Sequence, residues 1–327
     1  MRTLLACLLV AATPALSGCL GDATPLLGTA LQRDPVSEAL RTPGIHGLRM
    51  ALDGGEALGL VGVPATGSSD TLVVLAKGLG SKVDDWRPLM EGLAARGALS
   101  VAMEYRGEPG TWKVEAGVED TLAATQMMLQ AHPELQRTIL YGFSMGGEVA
   151  GLMAARAPPH TFTHLVVGAG VMDLSGEWRS TVSFQPLIEA AAGGRPDESP
   201  GAYAALSPLD HAAALAAQGL QRVYLVHGAA DTVVPVDQAE RMAQALEAEG
   251  VPVSLLVVAT EPAAWVCTPL VIACAPTAVP VGAANHEAAV SATVLRVLQE
   301  RVDGRPDPAA AFERTVVEGA TGTSVTW

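Results

Sequence analysis

Tyr141-Gly142-Phe143-Ser144-Met145-Gly146-Gly147 is the stretch of this 327-residue chain best suited to chemistry. A serine hydroxyl becomes a useful nucleophile when an imidazole takes its proton and a carboxylate orients that imidazole. The flanks of Ser144 fit such a role. Thr138–Tyr141 is an apolar run that reads as a strand, and the small residues from Met145 onward read as a helix. Ser144 would therefore stand on a strand-to-helix turn with its hydroxyl lifted above the sheet. Positions two before and two after such a serine cannot carry bulky side chains, and Gly142 and Gly146 occupy them. Gly147, Ala150 and Gly151 would let the helix approach the sheet closely. A helix N-terminus also presents backbone N–H groups and a positive dipole end to developing negative charge.

Partners for the serine can be sought among the remaining acids and histidines. Asp231 lies in Val226-His227-Gly228-Ala229-Ala230-Asp231-Thr232-Val233-Val234-Pro235, at the end of an apolar strand. Asp173 and Glu261 follow two other strands and compete with it, whereas Asp237 suits the first turn of the next helix. Of seven histidines only His286, in Ala284-Asn285-His286-Glu287, lies C-terminal to Asp231; His227 reads as structural. No C-x-x-C or H-E-x-x-H spacing suggests a metal. Gly168-Ala169-Gly170 lacks the third glycine of a dinucleotide fingerprint, since Asp173 stands there. Neither cofactor nor metal is expected. With 34 acidic against 20 basic residues, a formal charge of −14 argues against nucleic acid as a partner.

The elements that must position these residues alternate. Leu48–Leu52 and Ala57–Val63 flank the turn signal Asp53-Gly54-Gly55 and read as a hairpin. Apolar runs of the kind buried on both faces follow at 72–76, 99–103, 138–141, 165–167, 223–226 and 254–258. Helical patterns lie between them at 86–96, 118–131, 145–155, 236–249 and 290–302. Such alternation predicts an α/β fold, with eight strands in a mostly parallel sheet and helices on both faces. Residues 174–206 fall outside the rhythm and read as a small insertion after the sixth strand. Residues 304–327 carry no assignable pattern.

Strand, elbow, acid and histidine in this order resemble the α/β-hydrolase superfamily over residues 45–303. Ser207-Pro208-Leu209 ahead of the acid segment resembles dienelactone-hydrolase-like and prolyl-oligopeptidase-like members. The resemblance implies a catalytic triad of Ser144, Asp231 and His286, in the family's chain order. It also implies an oxyanion hole from the backbone N–H groups of Met145 and Leu79. Leu79 lies in Ala76-Lys77-Gly78-Leu79-Gly80, where many members have His-Gly-x-Gly; here Lys77 replaces the histidine. The activity implied is hydrolysis of a small-molecule or lipid carboxylic ester through an acyl-enzyme. Peptides, amides, thioesters and acyl transfer are alternatives on the same triad. A lipoprotein that keeps the fold and only binds is the alternative of another class.

The N-terminus predicts export. Arg2 precedes the apolar run 4–16, which is too short to span a bilayer and ends in Leu16-Ser17-Gly18-Cys19. This tetrapeptide resembles a bacterial lipobox, implying a signal peptide over 1–18, acylation of Cys19 and a tether over 19–44. The membrane would then be a partner through the lipid, and Leu20 after the cysteine points to the outer membrane of a two-membrane bacterium. In that oxidising compartment Cys267 and Cys274 are expected to pair, two free buried thiols being the alternative. Expressed in such a bacterium, Cys19→Ala should abolish incorporation of palmitate, and a non-reduced digest of the exported wild type should join Cys267 to Cys274. Wild-type protein without palmitate, or with two free thiols, contradicts the respective expectation.

Overall fold

The computed structural model describes residues 40–258 and 285–317, with two short strands at 265–267 and 274–276; for 265–267, 274–276 and 285–289 it describes the backbone alone. All eight expected strands are present: β1 (Gly44–Leu52), β2 (Gly55–Val63), β3 (Thr71–Ala76), β4 (Leu99–Met103), β5 (Arg137–Phe143), β6 (His164–Gly168), β7 (Arg222–Gly228) and β8 (Val253–Val258). β9 (Trp265–Cys267) and β10 (Cys274–Pro276) form a separate antiparallel pair, and β11 (Phe312–Val317) adds a ninth strand to the main sheet. The sheet order is β1-β2-β4-β3-β5-β6-β7-β8-β11. Within this sheet β1 pairs with β2 and β2 with β4 in antiparallel fashion, and the remaining pairings are parallel.

The unbroken apolar runs follow from this topology, because both faces of the central strands are covered. Val73, Leu75, Ile139, Tyr141, Val166 and Val226 face α1 (Arg87–Ala95) and α9 (Asn285–Val302). Their alternates, Leu72, Val74, Leu140, Leu165, Val167 and Leu225, belong to the core with α2 (Val114–Ala131), α3 (Met145–Arg156) and α8 (Asp237–Ala248). Between β6 and β7 four short helices make up the insertion, which continues beyond 206 to Ala216: α4 (Leu174–Ser180), α5 (Gln185–Ala192), α6 (Pro200–Leu206) and α7 (Ala212–Ala216).

The expectation of eight strands is corrected to nine by β11, in a region without an assignable pattern. Phe312-Glu313-Arg314-Thr315-Val316-Val317 is an edge strand, half charged or polar and largely exposed, so no apolar run marks it. What fastens this C-terminal segment lies at the N-terminal ends of β6 and β7. Asp307 accepts from the Tyr224 hydroxyl at 2.6 Å, lies 3.1 Å from His164 Nε2 and is ion-paired with Arg301. The buried Arg222 guanidinium donates to the carbonyls of Pro308 and Ala310. Val253 N–H then bonds the Ala311 carbonyl, and β11 runs on beside β8.

Asp307→Ala removes the acceptor shared by three buried or half-buried groups. It should cost about 2–3 kcal/mol at neutral pH. Hydrogen bonds from Tyr224 and His164 and the charge of Arg301 hold the Asp307 carboxyl below the ordinary value of 3.8, against the effect of burial. Its stabilisation is therefore complete above that value and is lost as pH falls through the lower folded one. Thermal melts should show a gap between wild type and variant that closes in acid; equal melting temperatures at neutral pH contradict this.

Candidate active site

Ser144 adopts φ 55° and ψ −126° between the end of β5 and the start of α3. A non-glycine residue at such φ is strained and persists only where its surroundings enforce it. The enforcement is visible. Ser144 N–H bonds the Gly168 carbonyl of β6 at 3.0 Å, and its own carbonyl accepts from Gly147 N–H at 2.8 Å and Val171 N–H at 3.2 Å. A Cβ on Gly142 would overlap the Gly146 carbonyl, and one on Gly146 would overlap the Ala76 carbonyl. Backbone thus packs directly on backbone across β3, β5 and α3.

Both expected oxyanion donors lie beside this elbow. Met145 is the first residue of α3, so its N–H has no intrahelical acceptor. Leu79 sits in the turn closed by Ser81 N–H to the Gly78 carbonyl. That turn touches the elbow: a Cβ on Gly78 would stand 3.1 Å from the Phe143 carbonyl and 3.5 Å from Ser144 Cβ.

The acids separate by what already binds them. Asp231 follows β7, and its Oδ1 accepts from Val233 N–H at 2.9 Å and Val234 N–H at 3.0 Å. These bonds fix the carboxylate and leave Oδ2, which lies 3.6 Å from His227 Nε2. His227 is buried, donates from Nε2 to the Val234 carbonyl at 2.8 Å, and has its pKa lowered chiefly by burial; it is a neutral support beneath the acid loop. Asp173 instead caps α4 through Gly176 N–H at 3.0 Å and pairs with Arg241 at 2.8 Å, which engages both its oxygens. Asp237 lies in the first turn of α8 and pairs with Arg241. Glu261 lies outside the described residues.

His286 is the second residue of α9; its side chain lies outside the described residues. The course of the helix still says which edge of the sheet it serves. Arg301 near the C-terminus of α9 pairs with Asp307 at the N-terminal ends of the strands, and Val294 packs by Gly168 at the C-terminal end of β6. Eight residues further back, about 12 Å along the helix, the N-terminus lies toward the edge that carries Ser144 and Asp231. Cys267 and Cys274 are register partners in the β9–β10 pair, their side chains lying outside the described residues, as does Cys19. Among the described residues no group of three His, Cys, Asp or Glu could hold a metal ion.

The insertion is tied to both flanks of this site. Phe184 meets the Trp112 ring at 5.7 Å, and the Thr181 hydroxyl donates to the Val233 carbonyl at 2.6 Å in the acid loop. Beneath it lie two acids that the sequence reading passed over. Glu148, one turn past Ser144 on α3, is fully buried and accepts from Trp112 Nε1 at 2.9 Å. Glu177 on α4 is fully buried; among the described residues neither oxygen has a well-formed hydrogen bond, because the nearby Thr181 hydroxyl, which would lower its pKa, donates to the Val233 carbonyl instead. Burial raises the Glu148 carboxyl well above its ordinary value, and the nearby Glu177 adds to this. Glu177 is pushed up to about 7 by burial first, then by Asp231 and Asp237. The available signal was a glutamate set in a helix face of Gly, Val and Ala immediately after the elbow.

A family model described as the prolyl oligopeptidase family matches residues 89–262, more than half of the chain. No curated protein matches the sequence. A puromycin-hydrolysing peptidase from Mycobacterium tuberculosis is similar in structure, with a TM-score of 0.59 and 20% identity over 89% of this chain and 42% of that one. Acylaminoacyl peptidase from Pyrococcus horikoshii gives 0.54 and 18% over 65% of this chain and 36% of that one. Dipeptidyl peptidase 4 from Porphyromonas gingivalis gives 0.53 and 20% over 66% and 32%. The match spans less than half the length of each of these proteins. At such identities the likeness shows a shared α/β-hydrolase fold.

Glu177 makes stability depend on pH in a direction opposite to that of a paired carboxylate. Unfolded, it ionises near 4.5; folded, it keeps its proton to about 7. Through that window the folded chain holds a proton the unfolded chain has released, so stability falls as pH rises. Glu177→Gln should therefore raise the melting temperature by several degrees at about pH 8 and change it little at about pH 4.5. A variant less stable than wild type at the higher pH contradicts a protonated, unpaired Glu177.

Proposed function

The chain belongs to the prolyl oligopeptidase family, and from that premise we propose that it is a serine hydrolase acting through Ser144, His286 and Asp231. The observation that carries the reading is the strained backbone of Ser144 at the head of α3. On this reading His286 takes the proton of Ser144 as the hydroxyl attacks a carbonyl. Asp231 Oδ2 holds the imidazole in the required tautomer, while Oδ1 remains bound to its own loop. The N–H groups of Met145 and Leu79 receive the oxyanion of the tetrahedral intermediate. His286 then protonates the leaving group, and water releases the acyl group by the same steps.

The bond cleaved is, in this proposal, a peptide or amide. Family membership supports this, as do the three similar structures named above, each of them a peptidase. The carboxylic ester expected from the sequence is the competing outcome. Acylation at Cys19 and a Cys267–Cys274 bridge complete the proposal as a lipid-anchored, exported enzyme; the bridge draws support from the register of β9 and β10.

Turnover of a panel of aminoacyl p-nitroanilides and graded p-nitrophenyl esters tests substrate and triad together. Ser144→Ala and His286→Ala should each lower kcat roughly 10⁴–10⁶-fold, and together hardly more. Asp231→Asn should fold normally and lose about 10²–10⁴-fold. Asp173→Asn should lose stability through α4 and retain turnover. Amides hydrolysed no better than the best ester would move the substrate class to esters. A dead Asp173→Asn beside a fully active Asp231→Asn would overturn the acid assignment.

A further inference from the structure

Lys77, at the position where the α/β-hydrolase resemblance implies histidine, is buried, with its side chain 6% exposed. Burying an ammonium is costly unless its donors are used. Here Nζ donates to the Ser81 carbonyl at 2.9 Å, lies 3.6 Å from Glu104 Oε1 and stands 4.7 Å over the Tyr105 ring, contacts that offset the burial in part, so that the pKa of Lys77 is still lowered by burial. Every one of these contacts is with the protein's own turn or with the corner after β4.

That corner is a fixed point. Tyr105 has φ 65°, and its carbonyl accepts from Lys113 Nζ at 3.3 Å. Arg106 is bound through its N–H at 2.8 Å and its Nε at 2.6 Å by the fully buried Asp120. Glu104 at the same corner accepts from Val83 N–H at 2.6 Å through Oε2. The loop leaving β3 is thus fastened at Ser81 through Lys77 and at Val83 through Glu104, while Gly78 rests on the elbow.

We infer that Lys77 is a positioning residue for the oxyanion hole, its ammonium fastening from inside the turn that carries the Leu79 N–H. The inference rests on the serine-hydrolase reading above and adds a role for a side chain that does not meet substrate. A neutral replacement frees the Ser81 carbonyl and loosens the turn, so the N–H would be misplaced for an oxyanion while the ground-state substrate still binds. The ammonium also adds positive potential beneath the turn, which a neutral side chain cannot supply.

Wild type, Lys77→Met, Lys77→Arg and Glu104→Gln are compared by steady-state kinetics on p-nitrophenyl acetate and by inhibition with phenylboronic acid, whose Ser144 adduct is tetrahedral. Lys77→Met should lower kcat about 10²-fold with KM within about threefold, and weaken boronate binding by a similar factor. Lys77→Arg, which keeps charge and donors, should recover most of the loss. Glu104→Gln should lower kcat about 3–10-fold by weakening the same fastening. Unchanged kcat and boronate affinity in Lys77→Met overturn the inference, and so does a rise in KM alone, which would mean substrate contact. If Lys77→Met does not fold, Glu104→Gln decides: wild-type kcat and boronate affinity in that variant overturn it. Wild-type turnover that survives Ser144→Ala is a separate failure, of the hydrolase reading itself.

Discussion

The constraint on which the site depends is an approach of backbone to backbone. At the elbow, the Gly142 and Gly146 backbones meet each other and the Ala76 carbonyl with no room for a Cβ. Three elements converge there, and each supplies one ingredient of the proposed chemistry: β3 leads into the oxyanion turn, β5 delivers the serine, and α3 brings its N-terminal N–H groups. Were any of the three to withdraw by the width of a methyl group, Ser144 could relax from φ 55° and its hydroxyl would sink toward the sheet. The strain is sustained by what surrounds it: parallel strands buried on both faces, the hydrogen bond that Ser144 N–H donates to β6, and the one its carbonyl accepts from Val171 N–H.

The other site elements are held by polar bonds made outside the reacting centre. Asp231 is immobilised by its own loop through one oxygen, over a neutral buried His227. Two neighbouring residues of the insertion fasten it, Thr181 by a hydrogen bond to the Val233 carbonyl and Phe184 by a ring contact with Trp112, above the buried Glu177. Burial, and then the negative charge of Asp231, holds the proton on Glu177 to about pH 7.

What could be read from the sequence follows from which forces leave a local signature. The elbow was legible because its steric demand falls on residues two positions either side of Ser144, and only glycine meets it. The central strands were legible because burial on both faces leaves unbroken apolar runs. In the sequence, Asp231 is preferred to Asp173 through the resemblance of its segment alone, since both are aspartates that follow a strand. The difference is that Asp173 is engaged by Gly176 and Arg241, partners that only the folded chain brings together. β11 was illegible because an exposed edge strand needs no apolar run. Lys77 was visible as a departure from His-Gly-x-Gly, yet its meaning depended on Glu104 and Ser81, which become its neighbours only in three dimensions.

The central claim is that Ser144 is a nucleophile rather than the corner of a turn. Peptide mapping by mass spectrometry after reaction of the folded wild-type protein with a fluorophosphonate tests it directly. The account predicts a single adduct on the peptide containing Ser144, absent from Ser144→Ala treated in the same way. An unmodified Ser144 after prolonged exposure, or an adduct elsewhere with Ser144 untouched, would contradict it.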